Sequence, residues 1–146
     1  MPSTFKYERG AYEVKWYPKK ASAAMTAGTF GAFSAAGLMT FATATSTEIA
    51  GLLMRTITSS DSDYATANVL IPVLVGGPDT VFRSFGEAHG VAETQNGEFV
   101  DITDADTING GATALEVIKV EQYISSTEML FSIVKKSGIA SSVGAD

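Results

Sequence analysis

One histidine, no cysteine and 16 carboxylates are the side chains from which this 146-residue chain would have to assemble a catalytic or metal centre. The histidine, His89, stands in Gly86-Glu-Ala-His-Gly90, which is neither a nucleophile elbow nor a zinc-binding helix, and it reads as a loop histidine between glycines. Without cysteine there is no disulfide framework, zinc–thiolate cluster or thiol nucleophile. Asp101, Asp104 and Asp106 with Asn109, and Asp61 with Asp63, offer oxygens of the kind Ca²⁺ takes. Neither group has the alternating spacing, closed by glycine, that gathers enough ligands around one ion, so both read as solvated turns. Gly76-Gly-Pro-Asp79 follows an apolar run, but no Lys-Ser/Thr comes after it to hold a phosphate, and it reads as a turn. The expectation is a protein that is not an enzyme and carries no cofactor and no metal.

The charges are unevenly placed. Residues 1–20 hold Lys6, Arg9, Lys15, Lys19 and Lys20 against Glu8 and Glu13, a net +3, which leaves −9 of the total −6 on residues 21–146. An acidic body repels nucleic-acid phosphates at long range, so no nucleic-acid partner is expected. Phe5, Tyr7, Tyr12, Trp16 and Tyr17 interleave with those cations, and the pattern breaks at Pro18 before the small residues that follow. Two readings stay open. Residues 1–20 form a basic aromatic arm that docks on a partner through Lys6, Arg9, Lys15, Trp16, Tyr17, Lys19 and Lys20, or they supply an edge strand with Tyr12, Val14 and Trp16 on its buried face.

The elements behind these residues are short. Hydrophobic residues at 45% and charged residues at 18% suffice for a core and argue against disorder, and the length suits one domain, residues 21–146 beyond the arm. Glycines and β-branched residues between 25 and 67 favour strands over 38–44 and 49–57. Helix remains conceivable at 22–27 and 47–55, where Thr45-Ser-Thr-Glu48 resembles a capping box. Residues 59–63 are turn formers, and Pro72 makes 69–75 an edge or bulged strand. Asn96-Gly97 predicts a hairpin between 91–94 and 98–102, Asn109-Gly-Gly111 a turn before a strand over 115–123, and Ser125-Ser126 a turn before a last strand over 129–135. The fold class is all-β, a compact sandwich or barrel of short antiparallel strands with an N-terminal arm. No apolar leader opens the chain, and the apolar tracts 37–44 and 69–77 are too short to span a bilayer, so the expectation is a soluble protein made in the cytoplasm, with no membrane partner.

An Ala/Gly/Thr/Ser-rich β domain without cysteine, an aromatic N-terminal segment, and a late hairpin with a strand ending near Leu130-Phe-Ser-Ile-Val-Lys135 resemble the capsid decoration (cement or auxiliary) proteins of tailed bacteriophages. The resemblance implies a structural virion protein on the capsid surface that binds the major capsid protein lattice at symmetry positions as trimers or monomers, with a homotrimer the expectation. A phage tail or fibre subunit, and a soluble carbohydrate-binding module with Trp16 or the tyrosines as a stacking platform, are the alternatives.

Overall fold

The computed structural model describes residues 4–77 and 79–134, and among them it contains strands and no helix. In chain order the strands are β1 (Thr4–Arg9), β2 (Tyr12–Pro18), β3 (Phe30–Phe33), β4 (Met39–Phe41), β5 (Gly51–Leu53), β6 (Leu70–Gly76), β7 (Val81–Phe85), β8 (Phe99–Asp104), β9 (Thr107–Asn109), β10 (Ile118–Ser125) and β11 (Glu128–Ile133). They form a six-stranded sheet in the order β1-β7-β11-β10-β8-β9 and a five-stranded sheet in the order β2-β6-β5-β3-β4. The two antiparallel sheets pack as a compact sandwich, so the all-β expectation holds.

Two bent strands join the sheets along one side. β1 pairs with β7 in the first sheet and β2 with β6 in the second, so residues 4–18 run antiparallel to residues 70–85 across both layers. The corner at Gly10 needs glycine: its φ is +101°, and a Cβ there would lie 2.4 Å from the Asp79 carbonyl oxygen. The buried Thr80 hydroxyl ties the two corners together, donating to the Ala11 carbonyl and accepting the Gly77 N–H at 2.7 Å.

Between the sheets Phe5 stacks on Phe30 at 4.2 Å and meets the edge of Phe131 at 5.3 Å, in a core that includes Phe82, Val100, Ile102, Ile118 and Ile133. A second, smaller core covers the outer face of the five-stranded sheet. There Met25, Met39, Leu53, Ile57, Ile71 and Val73 pack under Tyr17, Phe33, Tyr64 and Val69.

Several sequence expectations change. Residues 4–18 are strands of the sandwich, not an arm, because Phe5 belongs to the main core and each half of the segment is laddered to a neighbouring strand, with one irregularity between Tyr7 and Arg9. β2 is an edge strand, but Tyr12, Val14 and Trp16 lie on an exposed face. Conversely β6, the strand containing Pro72, is interior. Pro72 is accommodated because β5 ends at Leu53: the Pro72 carbonyl still accepts Met54 N–H at 3.0 Å, and no further β5 carbonyl needs a donor from position 72. Residues 91–94 form no strand. Gly97 does turn with φ +85°, but the Asn96 side chain accepts Tyr123 N–H at 2.8 Å and so fastens a loop onto β10. Helix is absent at 22–27 and 47–55. The last strand is confirmed to Ile133, while Lys135, like Pro78 of the predicted turn, lies outside the described residues.

Candidate functional site

The seven residues assigned to partner binding do not converge. Lys6 and Arg9 stand on β1 in the six-stranded sheet, and the Lys6 ammonium lies 4.9 Å from the centre of the Phe85 ring. Lys15 is on β2 beside Glu13 at 3.5 Å, and Tyr17 is half-buried with its ring against the edge of Phe33 at 4.8 Å. Lys20 is exposed and donates its main-chain N–H to Met39. Lys19 is fully buried. Its ammonium donates to the carbonyls of Lys20 at 2.7 Å, Tyr64 at 2.6 Å and Thr66 at 3.3 Å, and burial lowers its pKa against the opposing pull of Asp63. It anchors residues 64–66 and is not available to a partner.

Trp16 is different: it is 60% exposed and has exposed apolar neighbours. Opposed residues in an antiparallel ladder share a face. Register therefore puts Tyr12, Val14 and Trp16 of β2, Leu70, Pro72 and Leu74 of β6, and Leu52 with Met54 on the same face of the five-stranded sheet. Leu52 and Leu74 are covered by the six-stranded sheet and belong to the main core. Val14, Trp16, Met54 and Leu70 are not covered, leaving an exposed apolar area where the sandwich stops. The sequence signalled Trp16 by type alone; Met54 and Leu70 join it only through register.

Comparison with known proteins found no match. No family model fits the chain, and no curated protein or solved structure matches it.

The remaining candidates for chemistry are structural. Histidine 89 is buried; its Nδ1 accepts Val91 N–H at 3.0 Å and its Nε2 donates to the Ser125 carbonyl at 2.7 Å, which fixes the tautomer. Asp101, also buried, accepts the N–H groups of Leu115 at 2.9 Å and Glu116 at 2.7 Å, holding the loop that enters β10. Asp104 and Asp106 shape the β8–β9 hairpin, where Asp104 accepts Asp106 N–H at 3.1 Å. The hydrogen bond between the two carboxyls lowers the pKa of Asp104 and, helped by burial, raises that of Asp106 to about 6. Among the described residues no group of three or more metal-ligating side chains comes together. The same hairpin borders a shallow concavity of about 430 Å³ lined by Thr26, Thr29, Phe41, Thr43, Asp104 and Asp106, among others. No helix of the described residues is long and apolar enough to cross a membrane.

Proposed function

We propose that this chain is a structural assembly protein that attaches through a sheet face to a repeating protein surface, as the capsid decoration proteins it resembles attach to the major capsid protein. The observation that carries the reading is the uncovered apolar face formed by Val14, Trp16, Met54 and Leu70. Val14, Trp16 and Leu70 rest on paired strands and Met54 is tied to β6 by its main-chain N–H, so little ordering entropy opposes docking, and tryptophan is among the residues enriched at energetic anchors. Imaging of the particles that carry the tagged chain in its native source tests the reading. Density for the chain at symmetry-related positions on a capsid is the expected result, with this face inward. Recovery only with tails or fibres, or only as free protein, overturns it. Trp16→Ser with Leu70→Ser should weaken particle binding at least about tenfold, the effect of roughly 1.4 kcal/mol, with unchanged thermal unfolding.

The concavity beside Phe41 favours one second reading, a carbohydrate-binding module, because an exposed aromatic ring beside paired carboxylates and threonine hydroxyls can stack on a sugar and bind its hydroxyls. Glycan-array binding lost in Phe41→Ala would support it.

A further inference from the structure

The outer edge of β2 is open over Tyr12 to Trp16. Lys19 donates its N–H to Val69 and accepts Asn68 N–H, both at 2.8 Å, so residues in step with it (Glu13, Lys15 and Tyr17) turn their main-chain groups toward β6. Tyr12, Val14 and Trp16 turn theirs the other way. Past Pro18 the edge is occupied by β4, through Lys20 N–H to the Met39 carbonyl at 2.9 Å and a parallel bridge between Lys19 and Met39. Among the described residues nothing pairs with the edge before that point. Open edges are ordinarily guarded by proline, bulges or unpaired lysines. Here Lys15 is neutralised by Glu13 on its own strand, and the β2–β6 register runs without a bulge.

The sequence of this edge is self-complementary. Turned through a half-circle about Val14, Tyr12-Glu-Val-Lys-Trp16 sets aromatic against aromatic, acid against base and valine against itself. We propose that β2 pairs antiparallel with β2 of a second copy of this chain, centred on Val14, joining the two five-stranded sheets in a twofold dimer. The outward N–H and carbonyl groups of Tyr12, Val14 and Trp16 then form about six hydrogen bonds across the axis. Glu13 of each copy faces Lys15 of the other, and Tyr12 of each copy faces Trp16 of the other. The register is selected as well as permitted. Sliding by two residues in one direction opposes Glu13 to Glu13, and in the other Lys15 to Lys15, and like charges directly opposite are unfavourable. An edge is used once, so this contact closes at two copies. It also merges the exposed apolar faces of both copies into one.

The experiment needs only the purified full chain, so its outcome is independent of any capsid. Wild type should show a monomer–dimer equilibrium by sedimentation. Glu13→Lys should weaken it at least about tenfold, and Glu13→Lys with Lys15→Glu should restore it; both side chains are solvent-exposed, and unchanged thermal unfolding confirms that the variants fold. The chain has no cysteine, so a single one reports on register. Val14→Cys places two sulfurs across the axis with Cα atoms about 5.5 Å apart, within disulfide range. Mild oxidation should give a covalent dimer, whereas exposed Leu70→Cys, off the edge, should not. A monomer throughout, a three-copy assembly, association indifferent to Glu13→Lys, or equal cross-linking at positions 14 and 70 overturns the proposal.

Discussion

Lys19 shows how far a side chain's environment can depart from its type. The run Lys15-Trp-Tyr-Pro-Lys-Lys20 reads as a solvated basic stretch, and four residues along it the chain carries an ammonium into the protein to hold three carbonyl oxygens. Nothing local marks that difference, because the partners at Tyr64 and Thr66 lie on a distant loop. Lys19→Met keeps the length and apolar bulk of the side chain and strands those carbonyls, so it should lower unfolding free energy by about 3 kcal/mol in denaturant titration. A pH signature accompanies the loss. With its pKa lowered, folded Lys19 binds fewer protons than unfolded Lys19 in the window below 10.5, so its contribution to stability grows as pH rises through that window. The stability gap between wild type and Lys19→Met should therefore widen from neutral toward alkaline pH. A constant gap would contradict the assigned burial. His89 and Asp101 follow the same logic. Their types suggest chemistry, yet each is held by main-chain partners that only the fold brings near.

Strands were legible where polar and apolar residues partly alternate, as in β10, or where an apolar run follows turn formers, as in β11, and obscure where a short covered strand offers no alternation. Phe30–Phe33 and Val81–Phe85 have no alternation to detect: Phe30, Gly31 and Ala32 are all buried, as are Val81, Phe82 and Ser84. The β8–β9 hairpin was hidden for another reason. Its turn residues, Asp104 and Asp106, also suit a cation, and their role follows from the Asx-type hydrogen bond that closes the turn. That hairpin should respond to pH. Between the unfolded value of 3.8 and about 6, folded Asp106 keeps a proton that the unfolded chain has released, so its contribution to stability falls as pH rises through this window. Asp104 acts oppositely: its contribution is complete above 3.8 and is lost as pH falls through its lowered pKa. Asp106→Asn preserves a donor to Asp104 and an acceptor for the Thr107 hydroxyl without the titration. Relative to wild type it should gain melting temperature from about pH 4 to about pH 7, and parallel melting curves across that range would count against the shared proton.

Across the whole molecule, the all-β class was legible from composition and turn chemistry, but the way the sheets are joined was not. Charge and aromatic content set residues 1–20 apart as an appendage. The fold uses residues 4–18 as a bent strand that supplies one edge to each layer, because Gly10 allows the turn between layers and β6 and β7 lie antiparallel beside its two halves. Deleting residues 1–20 would remove β1 and β2 together, uncover the whole length of β6 and β7 on one side, take Phe5 off Phe30 and Phe131, and strip the ammonium from the 64–66 loop. An appendage would leave a folded body when cut; this segment should not. The truncated chain is expected to lose cooperative thermal unfolding and to become protease-sensitive throughout. Phe5→Ala, which keeps both strands, should remain folded but lose about 3–5 kcal/mol by opening a cavity beside Phe30. A truncated protein that still melts cooperatively with a strand-rich circular dichroism spectrum would show instead that residues 21–134 close a core of their own.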